Sequence, residues 1–222
     1  MQKFDTTAPV NAVLDIAAGR IHLIAADRSD ATVQVLPADA GKSRDVKAAE
    51  QIEVGYADGV LSVRYPEAKN RLLGSSGAVE VTVQLPAGSS VEAKAAAAEF
   101  RGAGPLGDVA FDGGQGAVEI ESAASVRLTA FDSDVTVGRL SGSGEISTHK
   151  GDVTVNEAAA GVLTLDTLAG NVTVGAAHGV SAALDAGTAS GRITNTLKNT
   201  DGAPALTIRA TTNKGDITAR SL

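Results

Sequence analysis

The chain has 222 residues, a net charge of -7 and no cysteine. That length makes one large or two small domains with a real core, and the missing thiols exclude disulfides and cysteine-based zinc sites. No basic run marks a nucleic-acid surface, and six aromatic rings without a Trp give sugars or single-stranded bases no stacking floor.

In chain order, "MQKFDTTAPV" lacks the apolar core of a secretory signal. No later window approaches the ~18 apolar residues of a membrane span. The expectation is a chain with no signal peptide or transmembrane segment, in the cytoplasm. Period-two alternation then dominates: "RIHLIA", "ATVQVLP", "QIEVGY", "GVLSVRY" and "AVEVTVQLP" are apolar-polar runs closed by Gly, Pro or Asp, the pattern of half-buried strands. Two excursions interrupt them, Pro37 to Gln51 and Pro66 to Ala78. The charged Lys42–Gln51 stretch has room for a turn or two of helix. "QLPAGSSV", Gln84 to Val91, marks the change from N-terminal β-layers (1–88) to shorter repeats (89–222), the two parts reading as continuous.

The repeats carry the fold. Each unit is an apolar residue, a turn with Gly or Asp, and a short alternating strand. Its anchors are Val118, Val135, Val153, Val172, Ile193 and Ile217, at steps of 17, 18, 19, 21 and 24. Phe111, Leu128, Ile146 and Leu165 lie seven positions before the first four anchors; Leu184 and Ile208, nine before the last two, are taken as their equivalents. One such rung cannot bury its apolar face alone, whereas stacked rungs share a core at the inter-strand spacing of about 4.8 Å. The fold class is therefore all-β, a single-chain solenoid of rungs of about 18 residues with a broader N-terminal β part. Val91–Phe100 has high helix propensity, but Ala93 lies seven before Phe100, so it reads as an early rung. Leu14 stands seven before Ile21 in the same way.

The candidate ledge is the column before each anchor: Asp134, Asp152, Asn171, Arg192 and Asp216, with Ala117 at its head. A row of carboxylates invites a metal or sugar site. Two of them ~4.8 Å apart repel by roughly 0.9 kcal/mol in a water-like dielectric, a cost that Asn171 and Arg192 dilute, Arg192 if it stands between acidic neighbours. Gly and Asp also suit a tight corner on their own account. A hydrolase or lyase would need a unique cluster of acids with a base, and the best available is Asp132, Asp134, Asp152 and Asp166 with His149 or Lys150. Those acids recur with the repeat, so the expectation is no enzyme, no catalytic residue, no cofactor and no metal. His22, His149 and His178 share no ligand spacing. "GAGPLGD" and "FDGGQGA" lack the residues of a phosphate loop.

"NTLKNTDGAPAL", Asn195 to Leu206, reads as a loop insertion, either capping or projecting. The chain then stops at "DITARSL", which leaves the last strand's edge exposed unless the Asn195 segment folds over it. That suggests self-association, or an unknown protein partner, at an open C-terminal rung.

"LDIAAGRIHLIAADRSDATVQVLPAD", "DGVLSVRYP", "VEVTVQLPAGSSVEA" and the following "GDVTV" repeats together resemble the bacterial adhesin-like, toast-rack family of β-strand-repeat proteins (domain of unknown function family 4097). The resemblance covers nearly the whole chain. It implies a β-helix-like, right-handed coil and carries over no catalytic residue. The function expected is a non-enzymatic scaffold or protein-binding module; the alternatives are a polysaccharide-binding or polysaccharide-processing β-helix and an adhesin-like surface protein.

Overall fold

The structure is a computed structural model and describes residues 1–65, 77–199 and 203–222. The chain divides into two compact units, Met1–Gly116 and Ala117–Leu222.

In the first unit the strands are β1 (Gln2–Asp5), β2 (Asn11–Ala26), β3 (Asp30–Pro37), β4 (Glu53–Ala57), β5 (Val60–Arg64), β6 (Val79–Pro86) and β7 (Ser90–Gln115), with the helix α1 (Ser43–Gln51) after β3. The alternation of β2 buries Leu14, Ile16, Ile21 and Leu23. One edge of β2 carries β7 in parallel from Asn11↔Ser90 to Ile24↔Ala103. Its other edge carries β5 along Asn11–Asp15 and β6 along Gly19–Ala26, both parallel. The first long strand of the chain is thus inserted between layers that follow it in sequence. Leu14 stacks between Val63 and Ala93, and Ile21 between Val81 and Phe100. The Val91–Phe100 stretch is therefore strand, its helix propensity overridden by pairing to β2.

Antiparallel strands finish this unit. β3 pairs β6, β1 pairs β3 and β4 pairs β5. Asp30 pins that layer, bound by Arg28 at 2.7 Å and Lys3 at 3.2 Å. The Arg28 hydrogen bond, then Lys3, hold its carboxyl down at about 2 against an ordinary 3.8. The first excursion contains α1, whose buried Asp45 accepts the Ala78 N–H at 3.0 Å. Residues 66–76 of the second excursion lie outside the described residues.

The second unit holds β8 (Val118–Asp132), β9 (Val135–Leu140), β10 (Gly144–Lys150), β11 (Val153–Ala158), β12 (Gly161–Ala169), β13 (Val172–Ala176), β14 (Ala182–Ser190), β15 (Ile193–Thr196), β16 (Leu206–Lys214) and β17 (Ile217–Ser221). All pair in parallel, in two rows. One row runs from the second half of β8 through β10, β12 and β16 to β14. The other runs from the first half of β8 through β9, β11, β13 and β17 to β15. The six anchors form one inner ladder, with the Val and Ile columns in register as the spacing predicts.

Two expectations are corrected here. Rungs do not stack in sequence order: the last rung, β16–β17, lies between β12–β13 and β14–β15. The strand at Ile217 is consequently not an open edge, and Ile217 and Ala219 are 1% exposed. The second correction concerns Leu184 and Ile208. They stack on Leu163, while Ala186 and Ala210 continue the Leu128–Ile146–Leu165 ladder. The spacing of seven before the anchor holds throughout; alanine is simply small enough to be passed over as a ladder residue.

Candidate functional site

The corner between the two rows is built from three interlocked ladders. In the first, each corner side chain accepts the backbone N–H of the corresponding residue in the next rung. Asp134 Oδ1 accepts from Asp152 N at 2.9 Å, Asp152 Oδ1 from Asn171 N at 2.7 Å, Asn171 Oδ1 from Asp216 N at 2.9 Å, and Asp216 Oδ1 from Arg192 N at 2.8 Å. The column is Asp-Asp-Asn-Asp-Arg in space. Arg192 ends it, its guanidinium 4.0 Å from Asp216, and does not stand between two acidic neighbours. An arginine side chain offers five donors and no acceptor, so it is the one member of the column that needs no rung beyond it.

The second ladder is the glycine column one residue earlier. A Cβ on Gly151 would sit 2.1 Å from Ser133 O, on Gly170 2.0 Å from Gly151 O, on Gly215 1.9 Å from Gly170 O and on Gly191 1.9 Å from Gly215 O. Gly151 also takes φ 131°, a region costly for any residue with a side chain. Close backbone stacking at the corner therefore requires glycine. The third ladder is threonine, and sequence reasoning missed it. Thr167 donates to Gly151 O at 3.1 Å, Thr212 to Gly170 O at 3.0 Å and Thr188 to Gly215 O at 3.0 Å. Thr148 donates to Lys150 O at 3.1 Å. Thr148, Thr167 and Thr212 are buried, and each hydroxyl satisfies a corner carbonyl inside the core. The signal was present: each Thr stands three positions before its corner glycine.

The other candidates do not converge. Asp132 pairs with Lys150 at 3.2 Å across neighbouring rungs. Asp166 accepts the Thr211 hydroxyl. His149 lies against the exposed ring of Phe131, centroids 4.8 Å apart. His178 is exposed in the turn after β13, and His22 alternates with buried neighbours on β2. Among the described residues no three His, Asp or Glu side chains are grouped to hold a metal ion, and no helix is long and apolar enough to cross a membrane.

The other end feature is a surface. β14 and β15 have one strand partner each among the described residues, β16 and β17. Every residue of β15 is exposed, and Ile193, an inner-ladder residue, is 46% exposed. The Ile217 N–H bonds Arg192 O, so the Ile193 N–H points the other way, and alternation aims the Asn195 N–H outward as well. The Asn195–Leu206 segment covers the start of this edge: Lys198 O accepts the Ala182 N–H at 3.1 Å, and Lys198 N bonds Ser221 Oγ at 2.9 Å. Residues 200–202 of that segment lie outside the described residues.

These features define a β-solenoid-like repeat protein whose polar corner is bonded to its own backbone. The sequence matches the family model described as Toastrack DUF4097 over residues 50–220, most of the chain, and the protein belongs to that family. No curated protein matches it. Similar solved structures include a putative cell adhesion protein from Clostridium sporogenes ATCC 15579 (11% identity, 100% of this chain and 98% of that one, TM-score 0.43). Others are a putative adhesin from Bacteroides fragilis NCTC 9343 (11%, 100% and 95%, TM-score 0.47) and a putative lipid binding protein from Parabacteroides distasonis ATCC 8503 (10%, 98% and 95%, TM-score 0.42). Likeness at that level assigns no activity.

Proposed function

We propose that the chain is a non-enzymatic scaffold that binds protein, a further copy of itself included, along the outer edge of β14–β15. The observation that carries this reading is the pair of consecutive one-sided strands, with Ile193 uncovered at the end of an otherwise buried ladder. Exposed strand edges are commonly blunted with charge, proline or a covering loop. Here the Lys198 contact covers the first residue of β14, and β15 has no second strand partner among the described residues. An extended segment adding to such an edge gains main-chain hydrogen bonds and buries alternate side chains. Repetition supports the non-enzymatic part: the corner acids are spent on neighbouring N–H groups, and Asp132 and Asp166 each have a local partner.

Two edge variants test it. Ile193→Lys puts an inward-pointing charge on the edge, and Asn195→Pro removes an outward N–H without removing a bond to β17. Light scattering over a concentration series, together with affinity capture from the native host, should show assembly or partner retention for the parent and its loss in both variants. Equal assembly and equal retention by all three would contradict the reading, as would a strict monomer that retains nothing. A glycan array and a lyase assay are expected to be silent. The cysteine-free composition suits a reducing cytoplasm, a location that fractionation of the native cells would check.

A further inference from the structure

The corner tripeptide at the open edge occurs twice in the chain. Gly191-Arg192-Ile193 leads into β15, and Gly19-Arg20-Ile21 lies within β2. Both glycines are pressed against a backbone carbonyl on one side. A Cβ would sit 1.9 Å from Gly215 O at Gly191 and 1.8 Å from Val79 O at Gly19. The two corners are built alike and differ in what flanks them.

At Gly19–Ile21 both sides hold parallel strands. Val79-Glu80-Val81 of β6 is in register on one side, and Ala98-Glu99-Phe100 of β7 on the other. Arg20 reaches both carboxylates, Nη1 to Glu80 at 3.8 Å and Nε to Glu99 at 3.4 Å. Ile21, covered by Val81 and Phe100, is 1% exposed. At the second corner, Gly215-Asp216-Ile217 fills the side that β6 fills at the first. The side that β7 fills at Arg20 has no strand at Arg192 among the described residues. Arg192 has Asp216 at 4.0 Å, its side chain is 89% exposed, and Ile193 lies uncovered. Elsewhere on the outer surface, cations likewise meet a carboxylate in register one strand away: Arg127 with Glu145, Arg139 with Glu157 and Lys150 with Asp132. The backbone favours the same strand direction. Val172 N–H donates to Asp216 O and Ile217 N–H to Arg192 O, so Ile193 N–H is the next donor in that series.

We propose that the open side of Gly191-Arg192-Ile193 is a recognition site for an extended segment of another protein that runs parallel to β15, with a glutamate opposite Arg192 and an apolar residue directly after it, opposite Ile193. The glutamate's carbonyl accepts the Ile193 N–H, and its carboxylate takes the Arg192 guanidinium as Glu99 takes that of Arg20. The apolar side chain covers Ile193 as Phe100 covers Ile21. Main-chain bonds give such a strand its hold, and the alternate side chains its selectivity. The inference rests on the edge-binding reading and adds the chemistry of the partner.

The chain supplies its own probe. A labelled peptide with the sequence of residues 78–84, AVEVTVQ, is one version of the segment, and its Glu80→Lys counterpart reverses the charge. Fluorescence anisotropy against the full chain at low salt should show the glutamate peptide binding about three- to tenfold more tightly, since an exposed pair's attraction is exchanged for repulsion. The difference should shrink as salt is raised. Arg192→Leu should abolish the preference, and Asn195→Pro should weaken both peptides alike. Leucine, like arginine, has no acceptor, so that variant leaves the rung order alone: with β16–β17 outermost, Asp216 N would still face a corner without an acceptor. Equal binding of the two peptides, or a preference that survives in Arg192→Leu, would overturn the inference and leave the edge-binding reading standing. Binding of neither peptide would overturn both. Assembly of the parent that excess glutamate peptide does not displace would assign the edge to a second copy and overturn the inference alone.

Discussion

At the residue scale, the corner column turns a suggestive motif into a structural one. Asp152 accepts the Asn171 N–H, so its value lies in being an acceptor more than in its charge. Asp152→Asn keeps an acceptor and is expected to leave the unfolding midpoint nearly unchanged. Asp152→Ala strands the Asn171 N–H at a partly hydrated corner and should cost about 1 kcal/mol in chemical denaturation. Gly170→Ala should cost more, about 2–4 kcal/mol, because its Cβ meets a backbone carbonyl that cannot move aside. Asp30 belongs to this scale as well. Its folded carboxyl sits at about 2 and its ordinary value is 3.8. A group depressed on folding contributes stability above its unfolded value and loses that contribution as pH falls. The stability difference between the parent and Asp30→Asn is therefore expected to be constant above about pH 4 and to shrink toward pH 2. Denaturation midpoints of both proteins across that range check it.

At the element scale, most of the rungs were legible in the sequence, and their order was not. The Val and Ile anchors announce themselves by alternation, and Val91–Phe100 is recognisable as strand because Ala93 and Phe100 keep the repeat's spacing. Ala186 and Ala210 escaped because apolar ladders are sought among large side chains. The threonine column was visible at a fixed distance from each glycine but reads as ordinary turn composition until the carbonyl it serves is seen. Rung order escaped for a deeper reason. Periodicity states what each rung is like and leaves open which rung it touches; after Ala117 at the head of the column, Arg192 is the one corner residue whose side chain has no acceptor, and it breaks the equivalence. Arg192→Asn restores that acceptor. It is expected to admit the sequence-ordered stack, in which Thr164 faces Asp185 in place of Arg209. A T164C/D185C disulfide should then form in the Arg192→Asn background and be absent, or at least severalfold weaker, with Arg192 present; peptide mapping of oxidised protein reads the difference.

At the scale of the whole molecule, both units share one habit: a terminal segment of the chain is taken into the interior of a parallel stack. β2 lies between β5–β6 and β7, and β16–β17 lies between β12–β13 and β14–β15. In the first unit the antiparallel strands β1, β3 and β4 are added beyond the stack. In the second, the rung at the end is the last but one in sequence, and it carries the edge, unpaired among the described residues, from which protein binding is argued. The central claim is that the last residues of the chain form an interior rung while Ile193–Thr196 forms an exterior one. Native-state hydrogen exchange followed by peptide mass tests it without any mutation. Amides of Leu206–Lys214 and Ile217–Ser221 are predicted to be among the slowest in the second unit, with those of Ile193–Thr196 among the fastest. A C-terminal segment that exchanges quickly, beside a protected Ala182–Thr196, would contradict the account.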